Sequence, residues 1–103
     1  MSKARQTEIL EGRLTDIELT HDAVVVGDTT TKIRDANTSR KYLLLINDSN
    51  EEIYIKFGAD AVASEGIRIV ANGGVFKMDL SIDTRQINGI CASGTKTLLA
   101  SEG

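Results

Sequence analysis

The chain contains no proline and no tryptophan, and only one cysteine, one histidine, two tyrosines and two phenylalanines in 103 residues. A single cysteine excludes an intrachain disulfide, and a metal site would have to be built mainly from carboxylates. Because aromatic side chains are scarce, the core must consist mainly of Ile, Leu, Val and Ala. The same scarcity removes the aromatic surfaces on which ligands usually stack. Without proline, exposed strand edges must be protected by charge, bulges or a partner, which favours assembly.

An excess of basic residues is also missing, because twelve Lys and Arg stand against fifteen Asp and Glu, for a formal net charge of -3. Nucleic-acid binding depends on basic side chains that neutralise phosphates, so the composition argues against it. No apolar run approaches the roughly 18 residues that span a bilayer, and residues 1–13 lack the apolar centre of a signal peptide. These features predict a protein made in a cytoplasm, with neither nucleic acid nor membrane as its partner.

Short runs rich in β-branched residues dominate the rest of the sequence, and long helical patterns are absent. Residues 53–57, IYIKF, alternate between apolar and polar side chains, as in a half-buried strand. About eight such runs predict an all-β fold, a small antiparallel β-sandwich or barrel of short strands. Residues 1–20 are mixed in charge and predict an extended N-terminal arm, while residues 21–103 form a single domain.

Turn-forming clusters between these runs predict that the fold is built from hairpins. The first hairpin joins residues 42–46 to residues 53–57 through a polar cluster whose side chains bond the local backbone. The second turns at Asn72-Gly73, where both residues tolerate positive φ. The third turns at residues 93–95. Residues 58–66, made of small side chains between two glycines, are either a loop or a single helical turn.

Residues with catalytic chemistry do not form a recognisable constellation. His21 and Cys91 are seventy residues apart, and a buried packing role explains the cysteine better than reactivity does. Asp48, Asn50 and Glu52 have the alternation of a calcium loop, but Ile53 stands where that loop requires glycine. We therefore predict no enzymatic activity, no cofactor and no metal site.

Two groups of side chains are candidates for partner binding. The first consists of apolar residues in the otherwise polar arm: Ile9, Leu10, Leu14, Ile17 and Leu19. The second is the tyrosine pair, Tyr42 and Tyr54, predicted to lie near each other on the outer face of the first hairpin. Each group has a simpler interpretation, because the arm residues can pack on their own sheet and the tyrosines can stabilise the hairpin as a cross-strand pair.

Residues 37–103 carry a resemblance to a known group of proteins. The stretches that carry it are SRKYLLLINDSNEEIYIKFG from residue 39, GIRIVANGGVFKMD from residue 66 and INGICASGTKTLLASEG from residue 87. They resemble small β-sandwich virion accessory proteins of tailed bacteriophages, of the head decoration or cement type. Residues 1–36 match nothing in that group.

The resemblance implies a non-enzymatic structural virion protein, a capsid decoration or cement protein that binds the outside of the head shell through its arm and sheet edges. Its partners would be the major capsid protein or other virion proteins, and we expect a homo-oligomer on the particle. The location implied is the virion, after synthesis in the host cytoplasm. The alternative is a tail, collar or fibre-associated β-domain that assembles in the tail or contacts the host surface.

Overall fold

The computed structural model of the protein describes residues 17–103 and has eight β-strands in this range and no helix. The strands are β1 (Thr20–Gly27), β2 (Thr31–Arg34), β3 (Leu43–Asn47), β4 (Ile53–Phe57), β5 (Ile67–Ile69), β6 (Gly74–Met78), β7 (Ile87–Cys91) and β8 (Thr95–Glu102). The prediction of an all-β fold with about eight short strands is confirmed. The first strand begins one residue before the predicted domain boundary at residue 21.

The strands form two antiparallel sheets of four, which pack face to face as a sandwich. The first sheet has the order β1-β8-β3-β6 and the second the order β2-β7-β4-β5. Four antiparallel pairs are hydrogen bonded: β1–β8, β2–β7, β3–β6 and β4–β5. Together they correspond to one long hairpin, closed by the β4–β5 connection, that folds over itself to form the two sheets. This arrangement is a jelly roll, in which β1 and β6 are the edge strands of the first sheet and β2 and β5 those of the second.

The core lies between the sheets and is aliphatic, as the composition requires. Alternation along each strand sends every second side chain inward. The first sheet contributes Val26, Leu43, Leu45, Leu98 and Ala100, and the second contributes Ile33, Ile53, Ile55, Ile69, Ile87 and Cys91. Phe57 and Phe76 connect the two sheets at one end, with ring centroids 6.2 Å apart.

The three predicted hairpins are wrong, although their strands and turns exist. In the described residues, six of the seven connections between consecutive strands cross from one sheet to the other, so β3 does not pair with β4, β5 with β6, or β7 with β8. The exception is β4–β5, which pair directly across residues 58–66. Asn72 and Gly73 do adopt the predicted positive φ, at 60° and 98°. A tight turn therefore forms there, but it reverses the chain between sheets.

Asn47, at the end of β3, stabilises two of these crossing connections. Its fully buried side chain donates hydrogen bonds to the carbonyls of Glu51 and Ile69, at 2.8 and 2.9 Å, and accepts one from the Ser49 hydroxyl. Its backbone carbonyl accepts a hydrogen bond from the Gly73 amide. The polar cluster after β3 and the turn after β5 are thus bound to each other and close the same end of the sandwich.

Candidate interaction surface

The outer face of the first sheet carries apolar side chains on all four strands. Residues that alternate with the core on β1, β8, β3 and β6 point away from the sandwich. One cross-strand row consists of Ala23, Leu99, Ile46 and Val75, which are neighbours in the register of the sheet. Such a row is unusual on the solvent side of an antiparallel sheet, where polar side chains are the rule.

The chain before β1 extends this surface. A Cβ atom built on Gly103 would lie 2.8 Å from Leu19 Cδ2 and 3.4 Å from Ile17 Cδ1, so these two side chains pack against the last residue of the chain. On its other side, Gly103 exchanges two backbone hydrogen bonds with Tyr42. Leu19, Gly103 and Tyr42 therefore form a further row at the end of the sheet.

We call this surface the apolar face, and its members are Ile17, Leu19, Ala23, Val25, Tyr42, Leu44, Ile46, Val75 and Leu99. Five of the eight large hydrophobic side chains that are exposed in the described part of the chain belong to it, with Val25 at 62% and Val75 at 60%. A cleft of about 310 Å³ lies on it between β1, β8 and β3. Contiguous apolar surface of this kind marks interaction sites in soluble proteins.

The outer face of the second sheet has the opposite character. Tyr54 lies between Arg68 and Ile90 in one cross-strand row, and Lys56 lies opposite Asn88 in the next. The Lys56 ammonium is 2.9 Å from the Glu65 carboxylate. The two faces of the sandwich are thus chemically distinct, one apolar and one polar.

A buried arginine fixes the end of the apolar face. The Arg40 side chain is inaccessible to solvent and forms an ion pair with Glu102. Its remaining nitrogens donate to the backbone carbonyls of Asp35, Asp83 and Arg85, at 2.8, 2.8 and 3.1 Å. Arg40 therefore ties the end of β8 to the segments after β2 and before β7. It positions Glu102, and with it the neighbouring Gly103 on which the lead-in residues pack.

The predicted binding residues divide into three sets. Ile17, Leu19 and Tyr42 lie together on the apolar face. Tyr54 lies on the second sheet, so the prediction that the two tyrosines are neighbours on one hairpin is wrong, because β3 and β4 belong to different sheets. The remaining predicted residues, Ile9, Leu10 and Leu14, lie outside the described residues.

Sequence reasoning missed the other members of the apolar face, although a signal was present. Three runs are apolar without alternation: residues 24–26, 43–46 and 98–100. Their strands, β1, β3 and β8, are neighbours in the first sheet. Continuous apolar runs indicate strands that are apolar on both faces, whereas the alternation in β4 indicates one wet face.

His21 and Cys91, the two side chains considered for nucleophilic catalysis, lie on different sheets, His21 on β1 of the first and Cys91 on β7 of the second. His21 Nδ1 lies 2.7 Å from the Ser101 hydroxyl on the exposed surface, but no described carboxylate bonds the other ring nitrogen to orient it. Cys91 is buried, and its burial raises the pKa of the thiol, which disfavours the reactive thiolate. Within residues 17–103, no cluster of His, Cys, Asp and Glu has the arrangement of a metal site.

Glu51 links two crossing connections at the end of the sandwich near Asn47. Its carboxylate accepts hydrogen bonds from the Ser93 amide, at 3.1 Å, and from the Ser93 hydroxyl, at 3.0 Å. These bonds favour the charged form and lower the pKa of Glu51 below its ordinary value.

This contact predicts a component of the pH dependence of stability. Because the folded-state pKa of Glu51 is depressed, its contribution is complete above the unfolded pKa of about 4.3 and is lost as the pH falls through the lower folded value. We expect the melting temperature of Glu51→Gln to fall less steeply than that of the unmodified chain below about pH 5. Thermal unfolding by circular dichroism across this range is the measurement, and identical slopes for the two proteins would refute the assignment.

Comparisons with known protein families, with curated proteins and with solved structures found no match to this chain. None of the described residues forms a helix with the length and apolarity needed to cross a membrane.

Proposed function

We propose that the chain is a non-enzymatic structural protein of a tailed-phage virion, a decoration or cement protein that binds the outside of the head shell. Its arm, residues 1–20, and its sheet edges make the contact with the major capsid protein. The protein is made in the host cytoplasm and acts on the assembled particle. The resemblance of residues 37–103 to small virion accessory proteins motivates this proposal.

The observation that carries the proposal is the position of β1. This strand has eight residues and pairs with β8 on one side, so it forms an edge of the first sheet, directly after the apolar Ile17 and Leu19. It contains no Lys or Pro, the residues that usually protect an edge. Arg34 covers the first three residues of β1, through hydrogen bonds to the Asp22 carboxylate and to the Thr20 carbonyl. An edge of this kind can accept a strand from a partner.

The jelly-roll arrangement agrees with the proposal but is not specific to it. Viral capsid proteins use this architecture, and so do lectins and cupins. A fold hosts many functions, so the argument from architecture is an analogy. The exposed surfaces are the stronger support, because a structural role requires contact surfaces rather than a catalytic pocket.

The alternative, a tail, collar or fibre-associated domain, rests on the polar outer face of the second sheet. There Tyr54 lies opposite Arg68, and Lys32 and Lys56 lie in the neighbouring row on either side of Asn88. A tyrosine with adjacent cations suits contact with glycans or acidic surfaces of a host cell.

Separation of heads from tails distinguishes the two locations. In phage particles that carry this chain, quantitative mass spectrometry of purified heads and tails should find it in the head fraction, together with the major capsid protein. Recovery with the tails would support the alternative. Absence from both fractions would overturn the virion assignment.

A further inference from the structure

The apolar face requires a covering partner, and its composition restricts what that partner can be. Within the bounds of β1, β3, β6 and β8, only His21 and Lys77 are ionisable among the side chains that alternate onto the face, and Asp48 and Asp79 follow at the ends of β3 and β6. The Lys77 ammonium lies 3.5 Å from the Asp79 carboxylate, which offsets its charge. A face with so little charge attracts neither nucleic acid nor a strongly charged protein surface. A second face of the same kind, however, meets it without repulsion.

We propose that the apolar face packs against the same face of a second copy of this chain, in a two-fold symmetric dimer. In such an isologous contact each residue meets its own symmetry equivalents, so the surface must be compatible with itself. The central row, Ala23, Leu99, Ile46 and Val75, satisfies this condition because it is entirely apolar. Sheets that pack face to face lie about 10 Å apart with strands inclined by about 30°, which lets these side chains interdigitate.

The size of the face places the dimer in a class of small interfaces. From Ile17 to Val25 an extended chain covers about 26 Å at roughly 3.3 Å per residue, and four strands spaced about 4.8 Å apart cover roughly 19 Å. The flat area is therefore about 500 Å² per copy, or about 1,000 Å² for the pair, at the lower limit of specific interfaces. We expect a weak dimer, with a dissociation constant in the micromolar range, that becomes persistent when several copies are held close together on one particle.

The dimer shares Ile17 and Leu19 with the arm of the proposed function, but otherwise it uses the outer face of the first sheet and not the edge of β1. It stands independently of the virion assignment. Neighbouring copies joined through their first sheets would still present the free edges of β1 and the polar outer faces of their second sheets. Self-association and binding to a shell are therefore separate properties that separate measurements can assign.

Sedimentation equilibrium of the full chain between about 5 and 500 µM tests the proposal, because micromolar dimers dissociate across this range. Leu99 is at the centre of the face and 37% exposed, so Leu99→Glu should fold and place two carboxylates against each other in the dimer. We expect the unmodified chain to approach twice the monomer mass, and Leu99→Glu to weaken the dimer by at least about 100-fold. Val62→Glu is the matched control, since Val62 is 43% exposed in the loop between β4 and β5 and lies off the face.

A monomer at every concentration would overturn the proposal, as would equal effects of Leu99→Glu and Val62→Glu. If Leu99→Glu loses its circular-dichroism spectrum, Val75→Glu, on the edge strand β6, replaces it.

A chain lacking residues 1–16 tests whether these residues, and not a second copy, cover the apolar face. If it dimerises through this face while the full chain stays monomeric, residues 1–16 cover the face and the dimer proposal fails. If a folded, monomeric Leu99→Glu still binds phage heads, the proposed function stands without the dimer as its cause.

Discussion

Replacement of Arg40 by alanine is expected to lower the free energy of unfolding by about 3–5 kcal/mol, the range found when one partner of a buried ion pair is removed. The side chain is inaccessible to solvent and holds the Glu102 carboxylate. In the variant, Glu102 would keep Arg34 as its cation, with 3.6 Å between the charged atoms. Three carbonyls that accept hydrogen bonds from the guanidinium would also lose their donor. Urea unfolding followed by circular dichroism measures the loss.

Arg85→Ala is the matched control for this experiment. Arg85 also forms an ion pair, with Asp83 at 2.7 Å, but its side chain is 64% exposed. Exposed pairs of this kind contribute less than about 1 kcal/mol, so the control should unfold close to the unmodified chain. If both variants lose the same free energy of unfolding, the contacts of Arg40 do not stabilise the packing of these segments as we infer.

Replacement of Asn47 by alanine is the second change with a large expected effect, a loss of about 2–4 kcal/mol in the free energy of unfolding. The truncated side chain would leave the buried Ile69 carbonyl without its side-chain donor, and the Glu51 carbonyl would keep only the Ser49 hydroxyl, at 3.0 Å. Because Glu51 lies in the β3–β4 connection and Ile69 ends β5 at the start of the β5–β6 connection, we also expect faster amide hydrogen exchange at this end of the sandwich. Chemical denaturation and hydrogen-exchange mass spectrometry are the two measurements.

Asn50→Ala separates the role of burial from that of residue type. Asn50 lies three residues after Asn47 in the same polar cluster, but it is exposed. Its replacement should change stability by no more than about 0.5 kcal/mol. Equal losses at positions 47 and 50 would show that the polar cluster acts only as a local turn, as the hairpin interpretation assumed.

The strands of this fold were predictable because the period of two is a local signal. Ile53, Ile55 and Phe57 share a face in the sequence pattern, and all three pack in or against the core. Strand pairing was not predictable in the same way. Asn72 and Gly73 favour a tight turn whether the chain returns to the same sheet or crosses to the other. The choice is made by distant groups, such as the backbone carbonyl of Asn47, which binds the Gly73 amide.

The candidate surface was predictable only in part. Apolar residues in a polar lead-in singled out Ile17 and Leu19, and a scarcity of aromatics singled out Tyr42. That these three lie beside Leu99 and Val75 follows from the order of strands in the first sheet, which local periodicity does not determine. The burial of Arg40 could not be predicted from the sequence either. A charged residue before a strand does not indicate that four acceptors from distant segments surround its side chain.

The central claim, a structural protein that binds a phage head, is tested most directly by co-sedimentation with heads stripped of accessory proteins. The full chain and a chain lacking residues 1–16 are compared, since this truncation leaves every described residue in place. We predict that the full chain pellets with heads, and that the truncated chain binds more weakly while retaining its circular-dichroism spectrum. Two folded proteins that both stay in the supernatant would contradict the claim and move the assignment to the tail or the host surface.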